Sequence, residues 1–264
     1  LYTGLFVLIK FPSSFLLTLL SLTCFVSFAA TSQQIESQSI EKKIVPEFSA
    51  QYTVLHKSDP VGTATRELSY QADGTINYHY KTEVEWLIFS QIRSETSILT
   101  IDNNKVTPQH YVYTREGTGK DKRYEWRYNT VIGEAKDIER KRDHQVDFSN
   151  NLQDKLSYHL QHRLNLMIDP SQTRYIYPVI NTSGSIKEYD YQYDGEEELI
   201  LPYGLIKTIR FKREVKEKER ITYAWFAPEL DYLLVKLYQM KGRTEQFEAQ
   251  LSSLTIEGKN IKKL

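Results

Sequence analysis

Cysteine is almost absent from this chain of 264 residues, with Cys24 its single example. Cys24 lies inside a leading apolar segment, so the body that follows carries no thiol. Disulfides, thiolate metal sites and cysteine nucleophiles are thereby excluded from the folded part. The preceding Ser21-Leu22-Thr23 lacks the leucine and the small residue that lipid attachment at Cys24 would require. An excess of one charge is missing as well. Lys+Arg 34 balances Asp+Glu 34, whereas a nucleic-acid surface shows as a basic excess. There is no Gly-x-Ser-x-Gly elbow and no phosphate-binding loop, since Gly117-Thr118-Gly119-Lys120 has neither the spacing nor a following helix. These absences leave nucleophilic catalysis without support, and the chain reads as a non-enzyme without a cofactor.

What is present divides the chain unevenly. Leu1 to Ala30 carries one charge, Lys10, and an apolar run from Phe15 to Phe28 broken only by small polar residues and Cys24. Ser27 and Ala29 then supply the small side chains that a signal-peptidase pocket accepts. The expectation is a signal peptide over 1–29, cleaved after Ala29, that exports the protein to the periplasm. An uncleaved anchor fits less well, because about 14 apolar residues are short for a ~30 Å hydrocarbon core. Residues 30–46 are polar and read as a flexible linker. A single domain is expected over 47–258, with a short tail at 259–264.

From Glu47 onward, apolar and polar residues alternate with period two. Phe48, Ala50, Tyr52 and Val54 share one face, as do Ile76, Tyr78, Tyr80, Val84, Trp86 and Ile88. Tyr124, Trp126 and Tyr128 repeat the pattern, and so do Tyr189, Tyr191 and Tyr193. Such alternation marks strands with one wet and one buried face. Asp73-Gly74, Asp102-Asn103-Asn104, Gly117-Thr118-Gly119, Ser183-Gly184 and Asp194-Gly195 supply hairpin turns. The connections are too short for crossover helices, so the strands, about a dozen, are expected to be antiparallel.

One stretch departs from that rhythm. Leu152, Leu156, Leu160, Leu164 and Met167 recur every three or four residues. The spacing predicts a helix over 150–168, capped by Ser149 or Asn150 and ended by Asp169-Pro170. The expected fold is therefore mainly β, a curved antiparallel half-barrel or barrel wrapped around one long helix. Either side chains fill the sheet, or a groove remains beside the helix for an apolar ligand.

The candidate lining of such a groove is Tyr52, Tyr78, Tyr80, Trp86, Tyr111 and Tyr113, with Tyr124, Trp126, Tyr189, Tyr191 and Trp225. Leu156 and Leu160 would join them from the helix. These residues equally suit plain core packing with hydroxyls reaching a partner. A lipid, acyl chain or lipoprotein is the expected partner if the groove exists; an envelope interaction protein with a filled sheet is the alternative. His159 and His162 resemble half a metal site but lack a third ligand, and read as polar helix residues at a sheet edge. Lys212 to Arg220 reads as a charged hairpin end, and Glu196-Glu197-Glu198 as an exposed strand start.

Several segments together resemble the bacterial family known as domain of unknown function 3108. They are Phe48-Ser49-Ala50-Gln51-Tyr52, Arg93-Ser94, and Pro108 with Tyr111, Tyr113, Arg115 and Gly117. Asp154-Lys155-Leu156-Ser157 with Arg163 follow, then Gly195-Glu196-Glu197 leading to Pro202-Tyr203-Gly204, and finally Trp225-Phe226-Ala227-Pro228 with Val235-Lys236. Leu234 stands where a proline is expected. The resemblance implies an exported protein of a Gram-negative envelope, similar in architecture to the half-barrels that carry periplasmic lipoproteins. It implies no activity.

Overall fold

The computed structural model describes residues 43–262. The expected signal peptide, its cleavage point, most of the linker and the last two residues lie outside the described residues.

The period-two segments form one antiparallel meander. Its first half comprises β1 (Phe48–His56), β2 (Asp59–Tyr70), β3 (Ile76–Trp86), β4 (Phe89–Asp102), β5 (Lys105–Gly117), β6 (Lys122–Asn129), β7 (Glu134–Asp137) and β8 (Arg142–Gln145). The helix α1 (Ser157–Ile168) follows. The second half comprises β9 (Arg174–Ile180), β10 (Ile186–Leu201), β11 (Gly204–Val215), β12 (Arg220–Ala227), β13 (Leu233–Lys241), β14 (Thr244–Ile256) and the short β15 (Lys259–Asn260). All belong to one sheet, in the order β8 through β1, then β14 back through β9, with β15 beside β14. The two halves join where β1 pairs with β14, from Phe48 opposite Ile256 to Leu55 opposite Glu248.

The sheet is not closed: β8 and β9 are its edges, and no ladder joins them among the described residues. Residues at the start of the helix link the β9 edge to β5 instead. The Gln153 backbone pairs with the β9 edge, donating to the Pro178 carbonyl and accepting from Ile180 N–H, both at 2.9 Å. Its side-chain amide donates to the Val106 carbonyl on β5 at 2.8 Å. Gln161 completes the link by accepting from Val106 N–H at 2.7 Å. Backbone groups that strand pairing leaves over are thus satisfied by side chains, as buried polar groups must be.

The helix begins seven residues later than the spacing predicts. Leu152 and Leu156 are buried as expected, but Gln153 is bridged to β9, so the chain turns into the helix only at Lys155 and Leu156. Neither Ser149 nor Asn150 caps the helix. The buried Asp154 does, accepting from Leu156 and Ser157 N–H at 2.7 Å each, while Ser157 Oγ accepts from Asp154 N–H at 2.9 Å. That reciprocal pair is a capping box in all but side-chain identity. Two of the helix's faces are buried rather than one stripe. Leu160 and Leu164 enter the main core with Phe48, Tyr52, Leu68 and Trp126. Tyr158 and Leu166 enter a second cluster with Tyr175, Tyr177, Phe211 and Phe226.

Other boundaries shift for physical reasons. Val45, placed in the linker by its polar surroundings, is fully buried, and its carbonyl accepts from the Tyr70 hydroxyl at 2.9 Å. Lys259 and Asn260, placed in the tail, pair with Ile256 and Thr255. Asp194-Gly195 is no hairpin turn: it is a bulge inside β10, where the register jumps between Tyr193 and Glu196 and Gly195 takes φ 112°. Glu197 is accordingly no strand start but a mid-strand residue, ion-paired with Arg210 at 3.1 Å.

Candidate functional site

The interior is not filled. A cleft of about 530 Å³ lies between the start of the helix and one end of the sheet. Its walls come from β1 to β5 on one side and β10 to β14 on the other, so the sheet must curl to bring both halves to one space. One part of the lining is apolar: Val54, Val84, Trp86, Phe89, Leu237 and Phe247.

The rest differs from the wholly apolar groove that the aromatic pattern suggests. Arg66, Arg93, Lys155, Arg213 and Arg220 all line the cleft, against Glu95 as its one carboxylate. None of the five cations is ion-paired among the described residues. Arg66 is 5% exposed and donates to the Tyr78 hydroxyl at 3.0 Å, with its Cζ 5.2 Å from the Tyr80 ring centre. Its Nε has no hydrogen-bond partner. Arg213 lies 3.9 Å over the Tyr189 ring, and its Nε is likewise unpartnered. Lys155 sits 5.2 Å over Tyr113. Arg93 donates to Gln91 at 2.5 Å. Glu95 is engaged by the Tyr111 hydroxyl, also at 2.5 Å.

These positive groups are held in place by aromatic faces and neutral acceptors rather than neutralised by carboxylates. Isolated buried charge is costly, and a guanidinium cannot relieve that cost by losing its proton. Of the five, Arg66 is buried, Arg93 is exposed and the other three are partly buried, so the cleft sets positive charge not neutralised by carboxylates beside apolar surface. Burial pushes the Tyr80 phenol up to about 12, against a smaller downward pull from Arg66, so it stays a neutral hydroxyl. Burial also holds the His159 imidazole neutral, its affinity for a proton further reduced by Arg66.

Of the aromatic residues singled out from sequence, Tyr80, Trp86, Tyr113, Tyr189 and Tyr191 line the cleft, and Leu156 joins them. Tyr52, Tyr78, Tyr111, Trp126 and Leu160 are core residues outside that lining. The Tyr52 hydroxyl, for example, donates to the Leu234 carbonyl at 2.7 Å. Tyr124 stacks 5.7 Å from Tyr113 without reaching the cleft. Trp225 is turned away from it. Its neighbours Ala224 and Phe226 join the helix-side cluster, so alternation puts Trp225 on the opposite face, where Lys236 lies 4.9 Å over its ring.

The two helix histidines part company. His159 lines the cleft. His162 is not at a sheet edge: it is buried among Tyr175, Tyr191, Phe211 and Phe226, with its Nδ1 2.9 Å from the Tyr177 hydroxyl. The arginines were the residues that the alternation argument overlooked. Their signal was available, since Arg66 shares strand parity with Ala64 and Leu68, and Arg213 with Phe211.

Comparison with known proteins places the chain in a family. Residues 48–241 match the model of the protein family of unknown function DUF3108. The chain belongs to it. Among curated proteins none matches. One similar solved structure is a β-barrel-like protein of domain of unknown function DUF1849 from Brucella abortus. It shares 9% identity at a TM-score of 0.50, over 80% of this chain and 98% of that one. A DUF1089 family protein from Pseudomonas aeruginosa also shares 9% identity, at a TM-score of 0.37 over 65% of this chain and 87% of the other. The Brucella likeness concerns the fold, and agrees with one large antiparallel sheet that curls around its interior.

Proposed function

We propose that this protein is an exported, non-catalytic carrier whose half-barrel holds an amphiphile, with an anionic head among the arginines and an apolar tail along the aromatic wall. The observation that carries this reading is the set of five cations, none ion-paired among the described residues, in a cleft with a single carboxylate, Glu95, and an apolar stretch of Val54, Val84, Trp86, Phe89, Leu237 and Phe247. Its volume of about 530 Å³ falls in the range of ordinary small-ligand sites, about 300–1,000 Å³. Permanently charged guanidinium groups suit binding rather than proton transfer. The leading segment with its small residues at Ser27 and Ala29 supports export to the periplasm. A lipid or the acyl portion of a lipoprotein supplies the expected cargo.

The test is displacement of a dansyl-labelled fatty acid from the purified protein. Oleate should compete and oleyl alcohol, which has the same tail without the charge, should compete at least about tenfold less well. Equal competition by both would remove the role of the cations. Failure of the labelled fatty acid to bind, together with no lipid mass on the native protein, would remove the carrier reading itself.

A further inference from the structure

The hairpin joining β3 to β4 ends in four consecutive apolar residues, Trp86-Leu87-Ile88-Phe89. Trp86 pairs with Phe89, so Leu87 and Ile88 form the whole turn. They are 89% and 98% exposed. Leu87 also takes φ 56°, in the left-handed region where a two-residue turn favours glycine or asparagine. The two residues thus touch almost nothing and suit the turn poorly. Folding gives no reason for either, and an unfavourable local choice held in place is a pointer to function.

We infer that this tip is a membrane-contact element that enters the interfacial region of a lipid bilayer. Two observations select a bilayer as the partner. The tip is a narrow projection with apolar side chains at its extremity, a shape that an acyl-chain region accepts without a matching pocket. Trp86, 48% exposed, stands just behind it, where an amphipathic ring suits the headgroup level. The neighbouring loop is fastened to the base of the tip, with Ser90 N–H donating to Thr118 Oγ1 at 2.9 Å and Thr118 N–H to the Ser90 carbonyl at 2.6 Å. That loop carries exposed Lys120 and Lys122 together with exposed Glu116 and Asp121, and Glu85 stands exposed next to Trp86, so the surface behind the tip carries both signs and the apolar tip itself selects the bilayer. Trp86 and Phe89 also line the cleft, so apolar surface runs from tip to cleft without a break. Membrane contact does not depend on the cargo proposed above; if both hold, an amphiphile could leave the bilayer without crossing water.

The test mixes the full chain with vesicles of phosphatidylethanolamine and phosphatidylglycerol in equal parts, carrying acyl-chain bromines. Of the three tryptophans, Trp126 and Trp225 are buried, so quenching reports on Trp86. The wild type should show a blue-shifted, quenched emission. The double substitution Leu87→Gly/Ile88→Asn, which suits the turn better, should weaken binding about tenfold or more while leaving the thermal transition unchanged or higher. Val131→Ser/Ile132→Ser removes exposed apolar residues from a turn at the opposite end of the strands and should bind as the wild type does. Absence of quenching in the wild type, or equal quenching in the glycine-asparagine variant, overturns the proposal. So does self-association of the wild type without vesicle binding, since the tip would then meet a second copy. Uptake of the labelled fatty acid from solution should survive the tip substitution, which separates this failure from failure of the carrier reading.

Discussion

The Ser97 hydroxyl on β4 donates to the Asp154 carboxylate at 2.5 Å, tying the middle of the sheet to the start of the helix. Both residues are fully buried. Burial raises the Asp154 carboxyl from 3.8 to about 6, although the hydrogen bonds from Ser97, Ser157 and Leu156 pull the other way. Between these values the folded state holds a proton that the unfolded chain has released. Stability from this group is therefore greatest below about pH 4 and declines as pH rises to about 6, by roughly 2–3 kcal/mol. Asp154→Asn keeps an acceptor for the cap and removes that slope, as urea titrations at pH 4, 5, 6 and 7 (spaced by about one unit) will show. Asp154→Ala loses the cap as well and should cost about 1–2 kcal/mol more.

His162 should act in the opposite sense. Burial lowers its imidazole from 6.5 to about 3, so the unfolded chain takes the proton first as pH falls. Stability is present above about pH 6.5 and declines toward pH 3, by on the order of 4 kcal/mol. From pH 6 down to 4 the two groups offset each other. Asp154→Asn should therefore steepen the loss on acidification, and His162→Phe should reduce it in that interval, where His159, held neutral by burial in the same way, still acts. Parallel slopes for the wild type and both variants would contradict this account.

Gln153 is fully buried and links the β9 edge to Val106 on β5. Gln153→Leu preserves its bulk and its backbone pairing with β9 but strips a donor from the Val106 carbonyl. The expected cost is about 1–3 kcal/mol in chemical unfolding. Amide exchange should accelerate first at β9, the edge that the Gln153 segment covers. Uniform acceleration across all strands would mean that the bridge has no local effect.

Arg66 and Tyr78 allow the proposed anionic site to be tested apart from stability. Removing only Arg66 would orphan the buried phenol, so the informative variant is Arg66→Met/Tyr78→Phe, which replaces both partners by apolar groups. Its unfolding free energy should match or exceed that of the wild type, because an unpaired buried guanidinium is lost. Affinity for the dansyl-labelled fatty acid should fall about tenfold or more. Retained affinity would move the anionic head elsewhere in the cleft.

Much of the sheet was legible because strand parity follows directly from burial: Phe48, Ala50, Tyr52 and Val54 on β1 are all buried. The helix start was not, because Leu152 has helical spacing yet sits in the segment paired with β9, and the helix is opened only by the turn at Asp154–Ser157. Asp154 and Ser157 carried a readable cap signal that the apolar period overshadowed. The turn at Leu87-Ile88 was invisible for a related reason, having none of the usual turn residues. Parity identified Tyr80, Trp86, Tyr113, Tyr189 and Tyr191 as inward, but it gives a side and not a depth. It could not separate these cleft residues from Tyr52, Tyr78, Tyr111 and Trp126 deeper in the core. Charged residues at apolar parity, Arg66 above all, were the better guide to the site.

The pairing of β1 with β14 has a kinetic consequence. Contacts across it, such as Ser252 to Gln51, connect positions 201 apart, and distant partners are slow to find one another. The second edge of β1 stays unsatisfied until β14 has been made and delivered, leaving the wall that carries Val54 incomplete. A fragment lacking β14 can hold hairpins but no enclosure, so the curled interior exists only once β14 has been made.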